Sequence, residues 1–88
     1  MQHHKYEIVN SRGLHARASA ILVKAANSFS SEIKLDLDGI QANGKSIMGI
    51  MMLAAAKGSI VELTVEGLDE IVALQTIGDL IRVGFGEN

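Results

Sequence analysis

The residues best placed to do chemistry lie in one short stretch, Gly13-Leu14-His15-Ala16-Arg17-Ala18-Ser19-Ala20. A glycine closes what reads as a strand, and an alanine-rich segment with helical spacing begins just after His15. The first amides of a helix have no intrahelical acceptor, and the helix dipole adds partial positive charge there. An anion such as phosphate suits that place. The same field disfavours an imidazolium, leaving a neutral, nucleophilic ring on His15. Arg17, two residues on, supplies a permanent guanidinium fork whose geometry matches phosphate oxygens. Nucleophile, anion cradle and counter-charge thus fall within three residues.

The elements that must position this stretch can be read from periodicity. Residues 5–9 alternate with period two through Tyr6 and Ile8 and predict a first strand; Asn10-Ser11-Arg12-Gly13 is a turn cluster. From Ala16 to Ser28 there is neither glycine nor proline, and Leu22, Ala25, Ala26 and Phe29 keep helical spacing. Ile33, Leu35 and Leu37 share one face of a second strand. Asp38-Gly39 then supplies the two positive-φ residues of a tight hairpin, and Ile40–Asn43 returns as its partner.

Ser46 is a good N-cap for a short helix from Ile47. That helix, Ile47-Met48-Gly49-Ile50-Met51-Met52-Leu53, is too apolar to bury every side chain, so some of Ile47, Met48 and Met51 must face outward. Val61, Leu63 and Val65 mark a fourth strand. Asp69 is expected to cap a last helix running to about Val83, with Ala73, Ile77, Leu80 and Ile81 as its buried stripe. Gly78 lies inside that helix at a cost of about 1 kcal/mol relative to alanine, and the pattern offers no reason for it. Gly84 and Gly86 are expected to fray the end, and His3-His4 to belong to a mobile terminus. The order β-α-β-β-α-β-α, with every cleanly alternating strand polar on one face, predicts an α+β domain in which one largely antiparallel sheet carries its helices on one side.

Composition narrows the classes of function. Eighty-eight residues make one domain, 1–88, and chains of this size bury roughly 60–65% of their unfolded surface. The sequence has no cysteine, so the 48% hydrophobic residues must supply the core unaided, and thiolate metal sites are excluded. A formal charge of −2 argues against nucleic acid as the main partner. No apolar run is long enough to span a membrane, and no hydrophobic signal segment follows the N-terminus, which predicts a cytoplasmic protein without membrane insertion. The histidines show no metal-ligand spacing, and neither a metal nor a cofactor is expected.

Two motifs at matched spacing, Gly13-Leu14-His15-Ala16-Arg17 and Gly44-Lys45-Ser46-Ile47-Met48-Gly49, resemble those of the histidine-containing phosphocarrier (HPr) family of the bacterial phosphoenolpyruvate-dependent phosphotransferase system. The resemblance covers the whole chain. It implies an open-faced β-sandwich, four antiparallel strands covered on one face by three helices. It also implies a carrier rather than an enzyme: His15 accepts a phosphoryl group on Nδ1 from phosphorylated enzyme I and passes it to A-type domains of sugar permeases or to regulatory counterparts. Arg17 would neutralise the phosphate, and the amides of Ala16 and Arg17, with Ala18 as a third candidate, would cradle it.

By the same resemblance Ser46 would be a regulatory phosphorylation site for HPr kinase/phosphorylase, and Ile47, Met48 and Met51 a docking surface for a protein acting as a monomer. Ala18 departs from the family's usual proline, which implies a less rigid helix start, and Arg12 stands where many members have an uncharged residue. The competing readings are an enzyme with His15 as general base, an interaction module in which His15 is idle, and the nitrogen-regulatory paralogue of the family.

Overall fold

The structure, a computed structural model, describes residues 1–87. Its elements are β1 (Gln2–Glu7), α1 (Ala16–Ala26), β2 (Glu32–Leu37), β3 (Ile40–Asn43), α2 (Ile47–Met52), β4 (Ile60–Glu66) and α3 (Glu70–Arg82), followed by a short 3-10 turn at Gly84–Gly86. The four strands form one antiparallel sheet in the order β1-β4-β2-β3. This is the α+β open-faced sandwich expected from the sequence. Among the described residues no helix is long and apolar enough to cross a membrane.

Alternation decides which face is covered. Ile33 and Leu35 of β2 pair with Val65 and Leu63 of β4, and all four are buried. Against them pack Ala18, Leu22 and Ala26 of α1, Ile50 of α2, and Ala73, Ile77 and Ile81 of α3. A fully buried side chain such as Leu22 or Leu63 stabilises the fold by about 1.5–3 kcal/mol through removal from water. The Asp38-Gly39 turn has φ of 53° and 87°, the left-handed pair that matches the twist of a two-residue hairpin.

Four sequence expectations need correction. The first strand is Gln2–Glu7 rather than 5–9, and His3 and His4 lie within it, opposite Thr64 and Leu63. Backbone pairing with β4 builds this strand, and its run of polar side chains conceals it from a search for alternation. α1 needs no such correction: it stops at Ala26, and Asn27 takes the C-cap position, its side-chain amide donating to the Val23 carbonyl at 3.0 Å.

Asp69 stands at the N-cap position of α3 but makes no side-chain cap. Its carboxylate instead accepts from the Ser30 amide at 2.9 Å, the Ser31 amide at 3.0 Å and both serine hydroxyls, tying α3 to the start of β2. Finally, the chain after α3 does not fray. Phe85 is only 7% exposed and joins the core.

Candidate functional site

The turn before α1 is fastened to the segment that follows α2. Gly13 has φ +63°, and a β-carbon there would collide with the Ala55 carbonyl oxygen. The Leu14 amide donates to that same oxygen at 2.9 Å, and the Leu14 side chain is buried. Only glycine allows both the left-handed turn and the close approach. His15, next in the chain, is therefore carried on a fixed backbone.

His15 occupies the N-cap position of α1 with extended φ and ψ of −72° and 179°, yet its side chain does not cap. The hydroxyl of Ser19 bonds back to the Leu14 carbonyl at 3.0 Å, and the Ser19 amide is the first to donate within the helix, to the His15 carbonyl at 2.9 Å. The amides of Ala16, Arg17 and Ala18 precede that bond and so have no intrahelical acceptor. Ala16 and Arg17 are exposed; Ala18 is fully buried.

The imidazole is not idle. Its Nε2 lies 2.8 Å from Oε1 of Glu87, with each side chain 22% exposed. The same carboxylate oxygen accepts from Nδ2 of the buried Asn10 at 2.9 Å, and that Nδ2 also donates to the Gly13 carbonyl at 2.8 Å. The hydrogen bonds from Asn10 and His15, with the charges of His15 and Arg17 behind them, hold the Glu87 carboxyl below the usual carboxylate range. Glu87 is thus an ionised acceptor at neutral pH, and Arg17 lies close enough for its charge to be felt there.

Ser46 caps α2 as expected: its hydroxyl oxygen accepts from the Gly49 amide at 3.0 Å. Within this short helix only Ile50 is buried. Ile47, Met48 and Met51 are exposed, and Met52, which the sequence reading passed over, is 78% exposed. α2 packs beside α1, the helix that begins just after His15.

Asn10 and Glu87 were also missed. The faint signal for Asn10 was its place at the head of a turn cluster, and for Glu87 the single aromatic residue between two glycines just before it. Neither signal identifies a histidine partner by itself, because the contact joins positions 72 residues apart.

Fold and site together define a small open-faced sandwich presenting a partly exposed histidine at a helix start, beside unpaired amides and a guanidinium. The family model PTS-HPr, described as the PTS HPr component phosphorylation site, matches residues 2–82. The phosphocarrier protein HPr of Neisseria meningitidis is 51% identical over 81 residues, covering 92% of this chain and 91% of that protein. A crystal structure of HPr from Thermoanaerobacter tengcongensis aligns with a TM-score of 0.96 at 45% identity, covering 100% of this chain and 99% of that one. Crh of Bacillus subtilis, a catabolite repression protein described as a domain-swapped dimer, aligns at 39% identity with a TM-score of 0.77, covering 96% and 97%. The chain belongs to the HPr family, the phosphocarriers of the phosphotransferase system.

Proposed function

We propose that this protein takes a phosphoryl group from phosphorylated enzyme I onto Nδ1 of His15 and delivers it to the A-type domain of a sugar permease or a regulatory counterpart. The observation that carries the reading is the histidine itself: it holds an N-cap position without capping, and it adjoins exposed residues whose amides lack intrahelical acceptors. Phosphoryl transfer passes through a loose transition state, so positioning and charge neutralisation supply most of the catalysis. The amides of Ala16 and Arg17, with Ala18 as a further candidate, would cradle the phosphate, and the Arg17 guanidinium would neutralise it.

Ile47, Met48 and Met51 would dock successive partners, since methionine repacks against different surfaces at little cost. Ser46 would be the regulatory site for HPr kinase/phosphorylase, its phosphate placed beside that docking surface. The 88 residues would act as one domain and as a monomer in the cytoplasm. The test is a reconstituted chain. Labelled phosphoenolpyruvate, enzyme I and this protein are incubated, the labelled protein is isolated, and a permease A-type domain is added. Label should leave this protein and appear on the A domain; label that stays in place or is lost only to water would contradict the carrier role.

A further inference from the structure

We propose that Met48, Met51 and Met52 form a peroxide-sensitive modification site: oxidation of their thioethers to sulfoxides weakens docking to enzyme I while the fold and the phosphoryl-accepting ring stay intact, an inference that rests on the docking role proposed above.

All the sulfur of this sequence is thioether, since it has four methionines and no cysteine. Three of the four stand at positions 48, 51 and 52, the i, i+3, i+4 spacing that brings side chains together on one helix face. Met52 is 78% exposed, Met48 68% and Met51 37%. Oxidation of methionine follows access of the oxidant to sulfur, so this face is open to a peroxide in solution.

The chemistry needs no group from the protein beyond the sulfur. A lone pair on Sδ attacks one oxygen of hydrogen peroxide, the O–O bond breaks, and the second oxygen leaves as water. Sulfur is oxidised by two electrons and the peroxide is reduced. Methionine sulfoxide reductases reverse the step, one enzyme for each sulfoxide epimer. The oxygen leaves as water while a pair of thiols is oxidised to a disulfide.

The consequence falls on docking because the fold does not depend on these side chains. Ile50 is the buried residue of α2, and the Ser46 hydroxyl caps its start; a sulfoxide on the exposed face removes neither anchor. In the free protein the new S–O group is solvated by water. In a complex it must be dried against the partner, and a polar group buried without a partner is unfavourable. The sulfoxide also replaces the adaptable apolar chain that lets one surface serve several partners.

Met1 supplies an internal comparison. It is 70% exposed and precedes β1, whereas α2 packs against β3 at the opposite edge of the sheet. Oxidation there should leave docking alone.

The experiment treats the protein with hydrogen peroxide, removes the peroxide, and locates the added oxygens by peptide mass spectrometry. Met52 and Met48 should be oxidised before Met51. Phosphorylation is then measured against enzyme I concentration. The half-saturation concentration should rise about tenfold, the size expected for one buried polar group left without a partner. The saturated rate and the melting temperature should not change, and treatment with both sulfoxide reductases and a dithiol should restore the original half-saturation. A variant with Met48→Leu, Met51→Leu and Met52→Leu has its own half-saturation, which peroxide should not move even though Met1 is oxidised.

An unchanged half-saturation in protein oxidised at all three positions would overturn the proposal. So would a peroxide effect that persists in the leucine variant, or one that comes with a lowered melting temperature. Met48→Glu, never exposed to peroxide, separates this proposal from the docking reading beneath it. A half-saturation there equal to that of the unsubstituted protein sinks the docking surface and the switch together. A raised one, beside an unaffected sulfoxide form, sinks the switch alone.

Discussion

The hydroxyl of Tyr6 on β1 occupies the space that a β-carbon on Gly78 of α3 would need. A glycine that helix propensity alone would replace is thus the point where the last helix lies down on the edge strand. Gly78→Ala gains about 1 kcal/mol of helix propensity but forces the Tyr6 ring aside, and overpacking of this kind costs about 1–3 kcal/mol. The net change should be a destabilisation of about 1 kcal/mol. In a Tyr6→Ala background the clash disappears, and the same Gly78→Ala change should stabilise by about 1 kcal/mol. Urea unfolding of the four proteins checks the reversal of sign; a Gly78→Ala effect of the same sign in both backgrounds would dissociate the glycine from Tyr6.

Ser46 caps α2, and substitutions can separate that role from the docking role proposed for its neighbourhood. Ser46→Ala removes the acceptor for the Gly49 amide and should cost about 1 kcal/mol, as loss of an N-cap usually does. Ser46→Asp keeps an acceptor and places negative charge at the favourable end of the helix dipole, so the fold should be as stable as before. Docking should suffer, because the carboxylate must be dried beside Ile47 and Met48 when enzyme I binds. The half-saturation concentration of enzyme I should rise about tenfold, equivalent to about 1.4 kcal/mol. An unchanged half-saturation would remove Ser46 from the docking surface.

Most of the fold was legible in the sequence where one face of an element is buried and the other wet. Ile33, Leu35, Leu63 and Val65 alternate because the sheet is covered on one side only, and Ser46 stands before α2 because a helix start needs an acceptor. Local chemistry of that kind is written in neighbouring residues. The Gly13–Arg17 stretch was legible for the same reason. What was not legible depends on contacts between distant positions. Tyr6 explains Gly78, Ser30 and Ser31 draw the Asp69 carboxylate away from its helix, and the Phe85 turn carries Glu87 to His15. No periodicity records such pairs.

The Asp69 contacts predict a pH dependence. Hydrogen bonds from the Ser31 hydroxyl and the Ser30 amide, foremost among its partners, hold its carboxyl at about 2, below the ordinary value of 3.8. A carboxyl depressed in the folded state stabilises the fold above its unfolded value, and that contribution is lost as pH falls through the folded one. The intact protein should therefore lose stability relative to Asp69→Asn between about pH 4 and pH 2, the two converging at the acid end. Urea midpoints measured across that range test it, and a constant difference between the two proteins would show that Asp69 does not titrate there.

Ala18 lies in the first turn of α1, where a proline needs no amide and brings a preset φ. Ala18→Pro should stabilise the fold by about 0.4–1 kcal/mol by restricting the unfolded chain. With Ala18 buried and Ala16 and Arg17 exposed, phosphoryl transfer should continue at the same rate. Melting temperature and transfer rate read the two effects separately. A slower transfer or a faster hydrolysis of the phosphohistidine would place the Ala18 amide in the phosphate cradle.

The central claim is that His15 carries the phosphoryl group. Intact-mass measurement after incubation with phosphoenolpyruvate and enzyme I tests it most directly, on the unsubstituted protein and on His15→Ala. The unsubstituted protein should gain a single phosphoryl group that is lost in acid and kept in base, as a phosphohistidine is. His15→Ala, a change at a helix boundary costing about 1 kcal/mol or less, should stay folded and gain nothing. A phosphoryl group on His15→Ala, or an acid-stable one on the unsubstituted protein, would contradict the account.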